Sequence, residues 1–366
     1  MHIICDKFTI SDAIAGVSKA VTHRSNVPVL EGILFKSEKD TLSLTGYDLE
    51  MGITTFISAD VKNEGEIVIS AKLLGDIIRK MASDTVEIIT DENFLVTVKG
   101  GITEFNIIGM PAVDYPELPS PGADQLITME AAVLKQMIDS TLYAVSLDDK
   151  KPAHTGELID IKENKITMVA LDGYRLAICE REVNTDKEIS MIVPQKTLNE
   201  LARLIGDSAD IVEIFANKRY VIFNASGYTI LSRLIEGEFL DYTKVVPEGN
   251  KTKVTVKTKE FIDSVERASL IIIERLKNPL RITFGEKVNV KCQTTLGKVS
   301  DEFDAVIEGE EIEIGFNNRY LLDALKYANR EEVVIELSGP LSPAKVLPPE
   351  GNDFLFLVLP VRFKND

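Results

Sequence analysis

The sequence predicts an α+β protein of three similar domains, each with two helices packed on antiparallel sheets. Three observations predict it. The chain has 366 residues, too long for one ordinary core, and a third of that length is 122. A short apolar strand, a cap-like residue and a basic amphipathic helix recur three times at close to that interval. Each third also opens on an amphipathic segment of its own.

The first third reads as a helical segment over 8–24, several short strands, and a helix over 70–81 entered through Val68-Ile69-Ser70. The alternating strand Val86-Glu87-Ile88 follows. In the second third the helical segments are 130–147 and 194–205, the latter after Ile192-Val193-Pro194, and the strand is Val212-Glu213-Ile214. In the last third they are 259–270 and 317–328, the latter after Ile314-Gly315-Phe316, and the strand is Ile335-Glu336-Leu337. Leu134, Met137 and Ile138, like Phe261, Ile262 and Val265, keep the helical spacing of a buried face. Lys72 to Lys196 is 124 positions, and Lys196 to Arg319 is 123. The first two thirds close alike, on Asp114-Tyr115-Pro116-Glu117-Leu118-Pro119 and Asp241-Tyr242-Thr243-Lys244-Val245-Val246-Pro247. Turn-rich linkers, 119–124 and 247–251, then give domains 1–120, 126–247 and 252–366.

Apolar residues are 45% and charged residues 27%, a folded globular balance. Lys plus Arg number 41 against 58 Asp plus Glu, for a net charge of −17. At face value that argues against a nucleic-acid binder. The six helical segments, however, carry +1, +2, −1, +1, −1 and +1, a net +3, which leaves −20 on the remainder. Lys and Arg favour helices in general, or the helices line a surface tolerant of phosphate. Composition does not decide between the two.

Cys5, Cys179 and Cys292 are odd in number and far apart, which reads as buried thiols in a reducing compartment. The first residues lack the apolar stretch of a signal peptide, and no run approaches a bilayer span. A soluble, cytoplasmic protein is expected. Catalytic constellations are missing. The histidines His2, His23 and His154 form no ligand pair, and there is no phosphate-binding glycine loop or nucleophile elbow. Asp148-Asp149 and Glu310-Glu311 read as solvated acid pairs. No catalytic residue, cofactor or metal is expected. An enzyme whose site is assembled across domains would instead need a pocket rich in paired carboxylates.

Four stretches carry a resemblance to a known family. They are Leu42-Ser43-Leu44-Thr45-Gly46-Tyr47-Asp48-Leu49-Glu50, Met110-Pro111-Ala112-Val113-Asp114-Tyr115-Pro116, Leu171-Asp172-Gly173-Tyr174-Arg175-Leu176-Ala177 and Leu359-Pro360-Val361-Arg362. In this order, inside a threefold repeat, the chain resembles the bacterial sliding clamps, the β subunit of the replicative DNA polymerase III holoenzyme, over essentially its full length. The resemblance implies the DNA clamp fold, closed into a six-domain ring as a homodimer, with helices lining the hole and sheets outside. It implies a processivity factor that encircles double-stranded DNA without reading its sequence and tethers the polymerase, with no catalysis of its own.

Residue by residue, the resemblance places DNA-facing cations at Arg24, Lys72, Arg79 and Lys196. Lys80, Arg203, Arg319 and Lys326 join them as cations in or at the ends of the same helices. It implies an apolar pocket for short peptides of the polymerase and clamp loader at Leu171, Gly173, Tyr174, Arg175, Leu176, Leu240, Lys244, Val245, Val346, Leu357, Leu359, Pro360, Val361 and Arg362. It implies a dimer seam where Phe105 and Ile107 meet Ile271 and Ile272 of a second copy. Tyr174 stands where the family often has histidine, Leu240 where it has proline, and Thr243-Lys244 replaces a more arginine-rich pair. The tail Phe363-Lys364-Asn365-Asp366 runs past the usual end, where it would crowd or extend the pocket.

Overall fold

In the computed structural model, residues 1–22, 24–119, 124–272 and 278–363 are described. They form antiparallel sheets and six α-helices, two in each third. The helices are α1 (Lys7–Val17), α2 (Ala71–Lys80), α3 (Ala131–Thr141), α4 (Gln195–Ile205), α5 (Thr258–Ser269) and α6 (Asn318–Ala328). The Asp6 carboxylate accepts from the Thr9 amide at 2.8 Å and caps α1. Asn317 caps α6, accepting from the Arg319 amide at 2.9 Å.

The opening helices of the first two thirds are shorter than their patterns predict. α1 and α3 each give way to a 3₁₀ turn, Ser18–Ala20 and Leu142–Ala144, and the chain is extended from Val21 and Val145. The Ser18 hydroxyl donates to the Ile14 carbonyl at 2.5 Å and Thr141 to that of Met137 at 2.7 Å. Such back-bonding competes with helix continuation, and the last turn tightens. Arg24 therefore lies beyond its helix, in an exposed bend.

The chain packs as two compact units, Met1–Ala132 with Asn199–Leu234, and Val133–Leu198 with Ile235–Asp366. The division runs through α3 and α4, because each unit is organised on whole sheets rather than on one third. The first unit holds a five-stranded sheet, in the order Asp60–Asn63, His2–Asp6, Thr85–Thr90, Leu95–Gly100, Thr103–Ile108. Its eight-stranded sheet runs Asp124–Glu130, Ile211–Ala216, Tyr220–Ala225, Tyr228–Arg233, Met51–Ser58, Thr41–Tyr47, Gly32–Glu38, Gly65–Ser70. The second unit holds a nine-stranded sheet: Ile189–Pro194, Gly156–Lys162, Lys165–Leu171, Arg175–Glu182, Phe354–Val358, Ala344–Leu347, Glu332–Leu337, Thr252–Lys257, Val306–Gly309. Its four-stranded sheet is Gly297–Phe303, Val288–Thr294, Leu280–Phe284, Ile312–Phe316.

Successive thirds are joined strand to strand. The last strand of the second third pairs with a strand of the first, Tyr228 opposite Thr55. The last strand of the final third pairs with the corresponding strand of the second, Phe354 opposite Cys179. Phe35, Phe223, Phe261, Phe284, Phe316 and Phe356 are fully buried and anchor the cores. All three cysteines are free and buried. Burial pushes the Cys5 thiol up to about 12 and the Cys179 thiol to about 11, so both stay protonated. Among the described residues no helix is long and apolar enough to cross a membrane.

Candidate functional site

Three leucines lie side by side on the nine-stranded sheet, Leu171 opposite Leu176 and Leu176 opposite Leu357. Opposed residues of antiparallel strands share a face, so the three form one row. The next row runs Ile192, Leu158, Val169, Ile178, each opposite its neighbour. All seven are buried in one cluster, with Ile235, Phe239, Tyr242 and Val246 packed on part of it. Beside them Leu240 and Val245 stay 44% and 40% exposed. The result is an apolar floor with an apolar, solvent-facing rim.

A tight turn borders this floor. The Asp172 carboxylate accepts from the amides of Tyr174 (2.8 Å) and Arg175 (3.1 Å), and Gly173 takes φ +89°, a conformation glycine adopts without strain. The Leu359 amide donates to the Tyr174 carbonyl at 2.9 Å, and the Val361 amide to the Gly315 carbonyl at 2.8 Å. The first bond sets Leu359 alongside the turn, the second ties Val361 to the strand before α6, and Leu359, Pro360 and Val361 are all half-buried. Tyr174 is 61% exposed.

Two of the expected pocket residues are committed elsewhere. Arg175 donates through Nε to Asp172 at 3.0 Å and pairs with Asp323 of α6, leaving its side chain 13% exposed. Its guanidinium lies 4.7 Å from the Tyr320 ring centroid and 5.3 Å from that of Tyr143. Tyr174 stacks in turn on Tyr320, and Tyr143 on Tyr327. Arg175 is thus an internal brace between the turn and α6. Burial holds the Tyr143 phenol well above its ordinary value. Val346 stands opposite Phe356, both fully buried, one residue out of phase with Leu357 and so on the other face of the sheet. The residue beside Leu357 in the row is Lys345, 8% exposed and 2.6 Å from Glu336. The alternation Ala344-Lys345-Val346 carried that signal, since only Lys345 is in phase with the row. At the rim, Lys244 is exposed and held by Asp241 at 2.8 Å, which lowers the Asp241 carboxyl and raises the Lys244 ammonium. Arg362 is exposed. Of the tail, the Phe363 ring packs 4.0 Å from the Arg281 guanidinium, and Lys364, Asn365 and Asp366 lie outside the described residues.

The expected DNA-facing cations are all exposed: Arg24 in its bend, Lys72, Arg79 and Lys80 on α2, Lys196 and Arg203 on α4, Arg319 and Lys326 on α6. On α2 the buried face is Leu74, Ile77 and Ile78, so the helix sorts apolar inward and basic outward. Arg79 pairs with Asp76 (2.5 Å), Arg203 with Glu200 (2.8 Å) and Lys326 with Glu266 of α5 (2.6 Å).

Phe105 and Ile107 lie on Thr103–Ile108, an edge of the five-stranded sheet, with Phe105 exposed. Ile271 and Ile272 follow the end of α5 and are half-buried, while Ile273, Glu274 and Arg275 fall outside the described residues. Gly297–Phe303 is an edge of the four-stranded sheet. Sequence reasoning also passed over Glu157, fully buried, with no hydrogen-bond partner of normal geometry for its carboxylate oxygens among the described residues. Burial pushes its carboxyl up to about 8. Its signal was phase: Glu157 alternates with Ile159 and Ile161, both fully buried.

Comparison with known proteins gives a consistent picture. Family models described as the N-terminal, central and C-terminal domains of the DNA polymerase III beta subunit match residues 1–119, 128–241 and 243–362. The chain is 30% identical over 375 residues to a protein of Bacillus subtilis named beta sliding clamp, covering 97% of this chain and 99% of that one. It is 32% identical over 357 residues to a beta sliding clamp of Staphylococcus aureus, with 94% of each covered. Among solved structures it is similar to the Bacillus subtilis DNA polymerase sliding clamp, with a TM-score of 0.97, 30% identity and 100% of both chains covered. A putative DNA polymerase III beta subunit of Eubacterium rectale gives 0.95 at 32% identity, with 99% of each chain covered.

Proposed function

This chain belongs to the DNA polymerase III beta subunit family, the beta sliding clamps, and from that premise we propose that two copies close into a ring around duplex DNA. The fold is the three-domain α+β clamp fold, and the family is a processivity factor rather than an enzyme. The protein is a sliding clamp that tethers the replicative polymerase to its template. A ring holds its duplex topologically, so weak contacts to phosphates suffice and base readout would impede sliding. Arg24, Lys72, Arg79, Lys80, Lys196, Arg203, Arg319 and Lys326 supply those contacts in this reading, which their exposure supports. It also accounts for helices of net +3 in a chain of net −17. The compartment is the cytoplasm, where its DNA is.

The observation that carries ring closure is the repeated junction. Within the chain the same strand-to-strand pairing is made twice, and it leaves two edges over, Thr103–Ile108 and Gly297–Phe303. Those edges are the repeat counterparts of the strands already joined. Thr103 follows its two-residue hairpin turn as Tyr228 does. Ser300 sits opposite Lys291 as Cys179 sits opposite Met168 and Thr55 opposite Leu44, with Leu44, Met168 and Lys291 spaced by 124 and 123. A second copy would complete the series by placing its Ser300 opposite Thr103, with Phe105, Ile107, Ile271 and Ile272 flanking the seam. Oxidation of the Thr103→Cys, Ser300→Cys double variant should give a covalent dimer, and the offset pair Thr103→Cys with Glu302→Cys should not.

The leucine floor, with Leu240, Val245, Leu359, Pro360 and Val361 around it, receives an apolar peptide segment of the polymerase and of the clamp loader. Gly173, Tyr174 and the Lys244 and Arg362 side chains form its polar border. Leu359→Asp should abolish peptide binding and leave the dimer intact in sedimentation; loss of the dimer would make Leu359 a folding residue. The function as a whole is tested by loading onto nicked circular DNA with an active clamp loader and ATP, then cutting the circle. Retention on the circle and escape from the cut ends is expected. Binding indifferent to the cut would sink encirclement.

A further inference from the structure

The last turns of α2, α4 and α6 carry a cation at the same place in the repeat: Arg79, Arg203 and Lys326. They are spaced by 124 and 123 positions, as Lys72, Lys196 and Arg319 are. Each is neutralised by an acid of its own chain. Arg79 and Arg203 hold the acid one turn earlier, Asp76 at 2.5 Å and Glu200 at 2.8 Å. The last third also has an acid there, Asp323, but it is taken by Arg175. Lys326 is nevertheless paired, with Glu266 of the neighbouring helix α5 at 2.6 Å. Pairs three residues apart are ordinary helix chemistry. A substitute acid, from another helix, arriving where the local one is diverted, is not accounted for by helix stability.

A carboxylate at that distance occupies the place a phosphate oxygen would take. To meet a phosphate the cation must leave its acid, and the freed carboxylate then repels the phosphate at short range. We propose that Asp76, Glu200 and Glu266 are built-in counter-ions that hold down the grip of the helix-end cations on the phosphate backbone, so that an encircled duplex stays mobile. The proposal rests on the reading that these helices face DNA. Lys72 and Lys80 hold no ion pair among the described residues, and they carry the unmasked share of the contact.

The test uses the full-length protein and a fluorescent duplex, titrated by anisotropy at low and high salt. Asp76→Asn and Glu266→Gln should each tighten binding about threefold at low salt, on the scale of an exposed ion pair, and Glu200→Gln, whose side chain is only 13% exposed, should tighten it at least as much. Together they should tighten it more than tenfold, with the gain fading as salt rises. Adding Lys326→Ala to Glu266→Gln should reverse that variant's gain. A control triple, Glu248→Gln, Glu286→Gln and Glu350→Gln, removes the same charge from exposed loops and should change affinity less than twofold. The proposal is overturned if the helix triple binds like the wild type, if the control triple tightens equally, or if the unmasked protein shows no duplex binding. Retention of the wild type on nicked circles is scored separately. Its loss would overturn encirclement, while the duplex titration would still decide the masking.

Discussion

The same row of three residues occurs in both units, and it is finished differently. In the first unit Tyr47 stands opposite Gly52, and Gly52 opposite Leu231. In the second unit the places are Leu171, Leu176 and Leu357. A Cβ on Gly52 would lie 2.7 Å from Cδ2 of Leu118, so the chain's own leucine takes the space that Leu176 fills from within the sheet. Tyr115 completes that plug, 6% exposed, with its hydroxyl donating to the Thr45 carbonyl at 3.2 Å. Its counterpart Tyr242 is half-buried, and nearby Leu240 and Val245 keep their apolar surface in solvent. One groove has consumed its own peptide. The other keeps an apolar rim in solvent, and under the proposed function a partner's peptide fills it, so duplication of the fold need not duplicate the binding site.

The two units also differ under the sheet, and there the largest effect is expected. Ile33 and Glu157 are repeat counterparts, 124 positions apart, opposite Ile69 and Val193 respectively. Both are fully buried, but only Glu157 can ionise. Its carboxyl titrates near 4.5 in the unfolded chain and about 8 when folded. The folded state therefore holds the proton longer, and stability is full below about 4.5 and falls as pH rises through 8. Glu157→Ile, which installs the first unit's residue, should remove that dependence and stabilise by several kcal/mol at pH 8. Urea midpoints at pH 5 and 8 check it. A variant with the wild-type pH slope would show that Glu157 is solvated.

A second difference separates Met51 from Arg175, counterparts just after the two matching turns at Asp48 and Asp172. Met51 is simply buried. Arg175 supports two carboxylates and two rings. Arg175→Met should cost about 2 kcal/mol, because it strands the nearly buried Asp172 carboxylate and the stacked rings, while Asp323, 35% exposed, falls back on water. The loss should appear in denaturant unfolding, with peptide affinity falling because the Gly173-Tyr174 turn loosens. A cost under about 1 kcal/mol would reduce the brace to a surface pair.

Much of this was legible without coordinates, for a physical reason. A repeat is read by spacing, so Lys72, Lys196 and Arg319 located three helices at once. Sheet register was not legible. Val346 was placed in the pocket and Lys345 passed over because a one-residue phase decides the face, and phase is set by the partner strand. Arg175 was placed among the pocket residues, and its role as a brace was missed because its consumers, Tyr143, Tyr320 and Asp323, are distant in sequence. Helix ends were overrun at Ser18 and Thr141, where a hydroxyl competes with the backbone that the apolar periodicity reports.

The smallest effect offers the sharpest view of the two grooves. Tyr115 and Tyr242 close the first two thirds in matching Asp-Tyr steps, yet only Tyr115 has a hydrogen bond from its hydroxyl among the described residues. Burial raises the phenol of both, Tyr115 the further, in a site where its hydroxyl must find its partner inside the protein. Tyr115→Phe removes the hydrogen bond to the Thr45 carbonyl and should cost about 1 kcal/mol of stability. Tyr242→Phe removes a hydroxyl with no such partner and should cost nearly nothing, while leaving the apolar ring in place over the leucine floor. Equal costs in parallel denaturant titrations would mean that both tyrosines are pinned alike, and the contrast between a plugged groove and an open one would have to rest on Leu118 and Gly52 alone.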